Sequence, residues 1–490
     1  MEDKKKYLIQ TKRISFRKMR DKENMKEKKI NILCSAADIA SQNIKEHLLR
    51  IGKWQLSDKL TNGWDGLLSV HENPTHRIIE IEGHHIYEDR IDERMKEAGY
   101  DTDLIIVASR HKSKDGRSVL TAHFTGNPDT ADFGGRPKEL SVAAPKMLCS
   151  ILRKMEKMAK DTHYETNMES THHGPTDLIT PMVYAEIGSG EEQWGDPLAG
   201  EIVARAILEA QPVDVPVAIG FGGGHYAARQ TELILNSNIT FGHNFPDYQL
   251  SHVDRDMVIQ AFNRSKADLV YFDRKSMSSK ERQRLSEIIE ELGYISLREN
   301  EIREMGDIPW ELFIRLKEEC DRLVPEGRLR INGIFRSSLE KIRHSTPDQY
   351  PDITTGELNE ELIKESASAD RKRTTEIFEQ YSPIYVDNKN GTISNHILGI
   401  GEDTKTAMQT ITNECIKILK EHYEIKYIPD ENILYIISKR FDPIAAKELG
   451  IPPGPMLGEL AKGNPVVVDG KRIEPEMVHK RKVREILLSN

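Results

Sequence analysis

The chain has 490 residues, is 38% apolar and 30% charged, and carries a formal net charge of −9. That length predicts two or three domains with sizeable cores. The acidity argues against a general DNA-coating role, and no apolar run approaches the ~20 residues of a membrane span.

In chain order, residues 1–29 are the exception to the acidity: they carry +7 and leave −16 for the rest. With little apolar content they read as a disordered basic arm, with Met25 an alternative start. No apolar stretch of a secretory signal is present there. INILCSA (30–36) predicts a buried strand and 38–52 an amphipathic helix. Strands follow at 103–109, 118–124, 181–187, 215–221 and 268–272, with helices in 140–160, 198–210, near 226–235 and in 279–292. Short apolar runs alternating with helical periods predict an α/β domain with a largely parallel mixed sheet flanked by helices, over 30–300. Residues 301–380 read as a helical connecting region. Residues 381–490 read as a small α+β module, with strands at 384–386 and 433–438 and an amphipathic helix over 406–423.

The four cysteines (Cys34, Cys149, Cys320, Cys415) form no CxxC pair. That argues against a disulfide scaffold and a cysteine zinc site, and fits a cytoplasmic protein. Any metal is left to histidines and carboxylates. Twelve of the 17 histidines lie between 71 and 252. His111, His123 and His225 follow predicted strands, and in open α/β sheets ligands bind beyond the strands' carboxyl ends. His172 and His173 precede the Gly174-Pro175 turn, and His243 follows NITFG. Neutral imidazole is a good zinc ligand, and zinc with an open position readies water for attack at neutral pH. Glu186 is a candidate ligand or general base; Glu191 and Glu192 are weaker ones. HENPTH (71–76) fails the HExxH pattern because its histidines are five apart and Pro74 breaks the helix, so it reads as a loop. His84-His85 falls outside the strand-end pattern.

GFGGGHY (220–226) joins a buried strand to a helix. Its glycines Gly222, Gly223 and Gly224 can point N–H groups at a phosphate or an oxyanion, or can simply make a tight turn. It is neither a Walker loop nor a full GxGxxG. Residues 109–127 place Arg110, Lys112 and Lys114 where they can meet nucleic-acid phosphates; Asp115-Gly116 reads as the tip of a solvated hairpin. FGGRP (133–137) is a turn first and a substrate-approach loop second.

SRHKS (109–113), LTAHFTGN (120–127), FGGRPKELSVAAP (133–145), THHGPTD (171–177), AEIGSGEEQW (185–194) and GFGGGHYAARQTE (220–232) occur in one order. Together they resemble the archaeal and plant type of D-aminoacyl-tRNA deacylase over roughly 30–300. The resemblance implies hydrolysis of the ester joining a D-amino acid to the 3′ acceptor end of tRNA, the translation quality control that removes D-amino acids. It further implies a core similar to nucleoside phosphorylases and peptidyl-tRNA hydrolases, Zn²⁺ at two ions per subunit, a monomer, and neither DNA nor membrane as partner. Carried onto matching positions, it makes His111, His123 and Glu186 catalytic candidates, and His172, His173 and His225 metal candidates. Arg110, Lys112 and Gly222 to Gly224 become substrate-binding candidates. Residues 441–478 resemble a stretch of the tRNA 3′-end-processing endonucleases of the metallo-β-lactamase fold without their HxHxDH motif. They read either as a packing module with a Pro-Gly turn or as a device for docking near a tRNA end. Two rivals stay open: a zinc amidase or peptidase using the same cluster, and a tRNA-end-binding protein without chemistry.

Overall fold

The computed structural model describes residues 29–57, 64–345, 351–428 and 431–488, so the expected basic arm lies, but for Lys29, outside the described residues. The chain divides into two compact units, Met1–Asp307 and Ile308–Asn490.

The first unit opens with β1 (Ile30–Ser35), β2 (Gln55–Leu56), β3 (Leu67–Glu72), β4 (His76–Ile81), β5 (Ile105–Arg110) and β6 (Val119–His123). It continues with β7 (Gly126–Asn127), β8 (Glu139–Leu140), β9 (Glu165–Met168) and β10 (Met182–Gly188). Eight of these form one mixed sheet, β2-β3-β4-β1-β5-β10-β6-β9, while β7 and β8 pair with each other. A second sheet, wholly parallel, is built from β11 (Val217–Phe221), β12 (Thr240–Phe245), β13 (Leu269–Phe272) and β14 (Ser296–Leu297) in the order β12-β11-β13-β14. The fold is therefore the expected α/β class, with helices flanking a mixed sheet.

Every residue of β10 and β11 is buried, the composition that strands covered on both faces require. Helices Pro145–Ala159 and Pro197–Glu209 both begin with proline, whose missing N–H costs nothing in a first turn. Asp196 caps the second by accepting from the Leu198 N–H. Asn43 on helix Ile39–Ile51 donates to the carbonyls of Trp194 and Asp196 at 2.9 and 2.8 Å, locking that helix to the segment after β10.

Strand order departs from the sequence-based picture at two points that shape the site. The hairpin expected around Asp115-Gly116 does not form, because β10 lies between β5 and β6. The connection instead passes the end of β10, where Ser189 Oγ donates to the Arg117 carbonyl at 2.6 Å. Moreover, β6 runs antiparallel to β10, although β5 and β10 are parallel. The carboxyl end of β6 therefore points opposite to that of β5. HENPTH forms the turn of the β3–β4 hairpin, where Asn73 Oδ1 accepts from the Thr75 and His76 N–H groups.

In the second unit, strands Arg328–Ile331, Ile384–Asp387, Ile393–Ile400 and Ile353–Glu357 form an antiparallel sheet in that spatial order. Its two outer strands come from the stretch expected to be helical; RLRI and ITTGE are too short and polar to announce themselves by periodicity. Helix Asp403–His422 packs its buried face on Leu434, Ile436 and Ile486 of a three-stranded sheet. Ala446, Ile451, Leu460, Val466, Ile473 and Val478 close a small core within 441–478. No helix among the described residues is long and apolar enough to cross a membrane.

Candidate metal and active site

The site lies on a face of the large sheet. His123 on β6 stands opposite Tyr184 on β10, and Glu186 stands opposite both Thr121 on β6 and Ser109 on β5. Residues two apart on a strand share a face, so His123, Tyr184 and Glu186 project together. Strand-end logic thus reached His123 for the wrong reason: it converges on the site through its antiparallel register. His111 enters from the connection after β5, held by Trp194 Nε1 donating to its carbonyl at 2.9 Å.

The segment after β9 crosses this face and ties the two sheets together. Glu169 N–H donates to the Ala122 carbonyl at 3.1 Å, Ser170 N–H to His225 at 2.8 Å and Thr171 N–H to Asn244 at 2.9 Å. The segment carries Glu169, His172 and His173 inward. The glycine turn after β11 supplies His225 and Tyr226.

Glu169 sits at the centre. Its Oε2 lies 2.8 Å from His225 Nε2, 3.1 Å from His111 Nδ1 and 3.6 Å from His172 Nε2. Both carboxylate oxygens are buried, and none of these approaches completes a hydrogen bond. Short separations without hydrogen-bond geometry suit atoms that share a cation. Alongside, His123 Nε2 and His173 Nε2 are 3.2 Å apart. His172 Nδ1–H donates to the Ser170 carbonyl at 2.8 Å and His173 Nδ1–H to the Gly174 carbonyl at 2.7 Å. An imidazole tied in this way turns a bare Nε2 inward, as metal-ligating histidines do. Three sets have donor atoms close enough to hold an ion: His123, His172 and His173; His111, Glu169 and His225; and His123, Glu169 and Glu186. The nitrogen and oxygen donors, the unsatisfied Glu169 and the fixed tautomers all fit a zinc-type metal.

Electrostatics follow from burial. Desolvation drives His172 down to about 3 and His173 to about 4, each reinforced by imidazole neighbours. His123 is driven well below its ordinary value by burial and then by His172. Neutral imidazoles are the ligating form. The two carboxyls part company. Burial pushes Glu169 up, but the contacts with His111 and His225 more than offset it and hold the group well below the usual carboxylate range. Burial and the negative charge on Glu169 push Glu186 well above that range. Glu186 Oε2 lies 3.9 Å from His111 Nδ1 and 3.8 Å from His123 Nδ1, between the sets. The cluster meets solvent along His172 and His225, whose side chains are 27% and 35% exposed.

His111, His123, His172, His173, His225 and Glu186 therefore come together. Other candidates do not join them. Lys112, Glu191 and Glu192 are exposed, and the Arg110 guanidinium stacks over Trp194, 5.3 Å from the ring centroid. Two of the three glycine donors are already engaged: Gly222 N–H donates to the Phe245 carbonyl at 2.8 Å and Gly223 N–H to Ser276 Oγ at 2.6 Å. They shape the turn and leave Gly224, whose N–H meets no acceptor among the described residues. Glycine is needed at 222, where φ is +96° and a Cβ would lie 2.6 Å from Ser276 Oγ. His243 is a buried anchor, donating through Nε2 to the Ser141 carbonyl at 3.0 Å and accepting at Nδ1 from Thr171 Oγ1 at 3.1 Å.

Sequence reasoning missed Glu169, which stands two residues before THHGP with nothing local to mark it as buried. It also missed Tyr226, whose Oη is 2.8 Å from His111 Nε2 and whose ring lies 4.2 Å beneath the Arg117 guanidinium.

A family model for D-aminoacyl-tRNA deacylase matches residues 98–296. The D-aminoacyl-tRNA deacylase of Methanococcoides burtonii is 46% identical over 463 residues, 94% of this chain and 97% of its own. That of Methanosarcina barkeri is 50% identical over 279 residues, 56% of this chain and 91% of its own. The crystal structure of AF0625, a conserved protein of unknown function, aligns with a TM-score of 0.53 at 36% identity, covering 58% of this chain and 100% of that one. Near-full-length identity to the first relative, together with the matched blocks around the buried His/Glu cluster, shows that the chain belongs to the D-aminoacyl-tRNA deacylase family.

Proposed function

We propose that this protein hydrolyses the ester of D-aminoacyl-tRNA, releasing the free D-amino acid and tRNA, and that it does so with two bound zinc ions. The observation that carries this reading is the clustering of five histidines with Glu169, three of them within 3.6 Å of its Oε2, and with two of the five tautomers fixed by main-chain carbonyls. His123, His172 and His173 would hold one ion, and His111, Glu169 and His225 the other. When bound, such ions lower the pKa of a coordinated water towards ~7 and polarise the ester carbonyl. Glu186 stands between the two sets and would move the proton: cations bound beside it would offset the burial and the Glu169 charge that keep it protonated, so that its Oε2 could accept a proton from the attacking water and return it to the departing ribose 3′ oxygen. The Gly224 N–H is the donor available to an oxyanion; losing such a donor costs about 10²–10³ in rate. Arg117, stacked over Tyr226, and the exposed Lys112 supply cations for the acceptor-end phosphates. The protein acts as a monomer in the cytoplasm.

The decisive assay follows deacylation of D- and L-tyrosyl-tRNA by the full chain, with and without chelator and after zinc readdition, alongside metal analysis. Hydrolysis of the D-ester, loss with chelator and rescue by zinc are expected. Undiminished hydrolysis by metal-free protein would remove the ions and leave the histidines as general bases. Cleavage of small peptides but of neither ester would shift the reading to an amidase.

A further inference from the structure

Beside the His/Glu cluster lies a group of buried polar atoms that neither metal set uses. His85, on the short helical turn His85–Tyr87, is 2% exposed, and beyond a main-chain contact with Ala108 its ring nitrogens find no hydrogen-bond partner. The Tyr184 hydroxyl, on a side chain with no exposure, is likewise without a partner. The two rings meet edge to face at 5.5 Å, and the Tyr184 ring lies 5.0 Å from that of His123 and 5.2 Å from that of His173. Asp38, 1% exposed, caps helix Ile39–Ile51 by accepting from the Ser41 N–H at 3.0 Å, and its Oδ2 accepts from the Arg110 N–H at 3.1 Å. That same Oδ2 is 3.7 Å from His85 Nε2. The gap is too long for a direct hydrogen bond, yet one donor placed between the two atoms would reach both.

Unsatisfied buried polar groups are costly and persist where a ligand or water completes them. The atoms here are mainly acceptors: a carboxylate oxygen, the bare nitrogen of a neutral imidazole and a phenol oxygen. A group with several N–H donors and a positive charge fits them best. Accepting the deacylase reading above, we infer that Asp38, His85 and Tyr184 hold the α-ammonium group of the aminoacyl ester. They stand one ring's width from the cluster that attacks the adjacent carbonyl.

The test compares D-tyrosyl-tRNA with tRNA charged with the matching α-hydroxy acid, using zinc-loaded full-length wild type, Tyr184→Phe and His85→Gln. Tyr184→Phe removes only an unpartnered hydroxyl, so its melting temperature and metal content should match the wild type. The wild type should prefer the amino ester by about tenfold or more in kcat/KM, the scale of a hydrogen bond to a charged group. Both variants should lose most of that preference through a raised KM for the amino ester, with the hydroxy ester little affected. Equal slowing of both esters, unchanged rates for both, or a wild type indifferent to the ammonium would overturn the assignment. A wild type that hydrolyses neither ester would sink the deacylase reading, and the assignment with it.

Discussion

Glu169 shows how one side chain organises several others. Fully buried, it is surrounded by imidazoles and holds its charge only because they, or a cation among them, compensate for lost hydration. Replacing it by glutamine keeps the shape and removes the charge. Glu169→Gln should fold, bind less metal, and lose more than about a hundredfold in deacylation, beyond what the loss of a supporting contact costs. Metal stoichiometry and single-turnover rates check this; wild-type metal content would exclude the carboxylate as a ligand. His243 makes a prediction of the opposite kind, about stability. Burial lowers it from 6.5 to about 4, so the unfolded chain binds a proton there that the folded chain refuses. Its contribution is present above pH ~6.5 and is lost as pH falls towards 4, roughly 3 kcal/mol in all. Urea unfolding at pH 7 and pH 5 should show a smaller acid loss in His243→Gln than in the wild type; identical losses would count against it.

Among elements, the loops carrying His173 and His85 depend on close backbone packing. A Cβ on Gly134, at φ +80°, would strike the Ile86 carbonyl oxygen, and one on Gly174 would strike the Gly134 backbone. FGGRP is therefore a packing turn that presses the His84–Tyr87 segment and the His-His turn together. Gly134→Ala should destabilise the protein by about 1–3 kcal/mol through strain and lower deacylation in parallel. Thermal unfolding and rate measurements on the same preparation check it; a wild-type melting temperature would mean that the loop yields. The 169–173 segment works similarly at longer range. Nothing in ETNMESTHH marks it as a bridge, because its partners Ala122, His225 and Asn244 are supplied by three distant strands or turns.

At the scale of the whole chain, the family contains two lengths. The Methanococcoides burtonii protein matches across both units, whereas 279 residues of this chain account for 91% of the Methanosarcina barkeri protein. The residues that form the cluster all lie in the unit ending at Asp307. A protein truncated after Asp307 should therefore stay folded, bind the same metal per chain and hydrolyse the isolated ester at a rate within a few-fold of full length. Circular dichroism and deacylation measure this; an unfolded or inactive fragment would show that the second unit is part of the catalytic machinery.

Much of this was present in the chain read alone. Apolar runs of four to seven residues mark β1, β5, β10, β11 and β13, because a strand buried on both faces must be apolar along its own length. Helical periodicity marks Pro145–Ala159, Pro197–Glu209 and Ser279–Glu291 for the same local reason. Histidines beside glycines and strand ends marked the chemistry. Strand order was settled elsewhere. That β10 inserts between β5 and β6, and that β6 runs against it, depends on pairings between segments some sixty residues apart, which no local period encodes. The same closure turned Glu169, Tyr184 and His85 from ordinary polar residues into buried, incompletely bonded ones. Burial is a property of what surrounds a side chain, so only the folded chain could single them out.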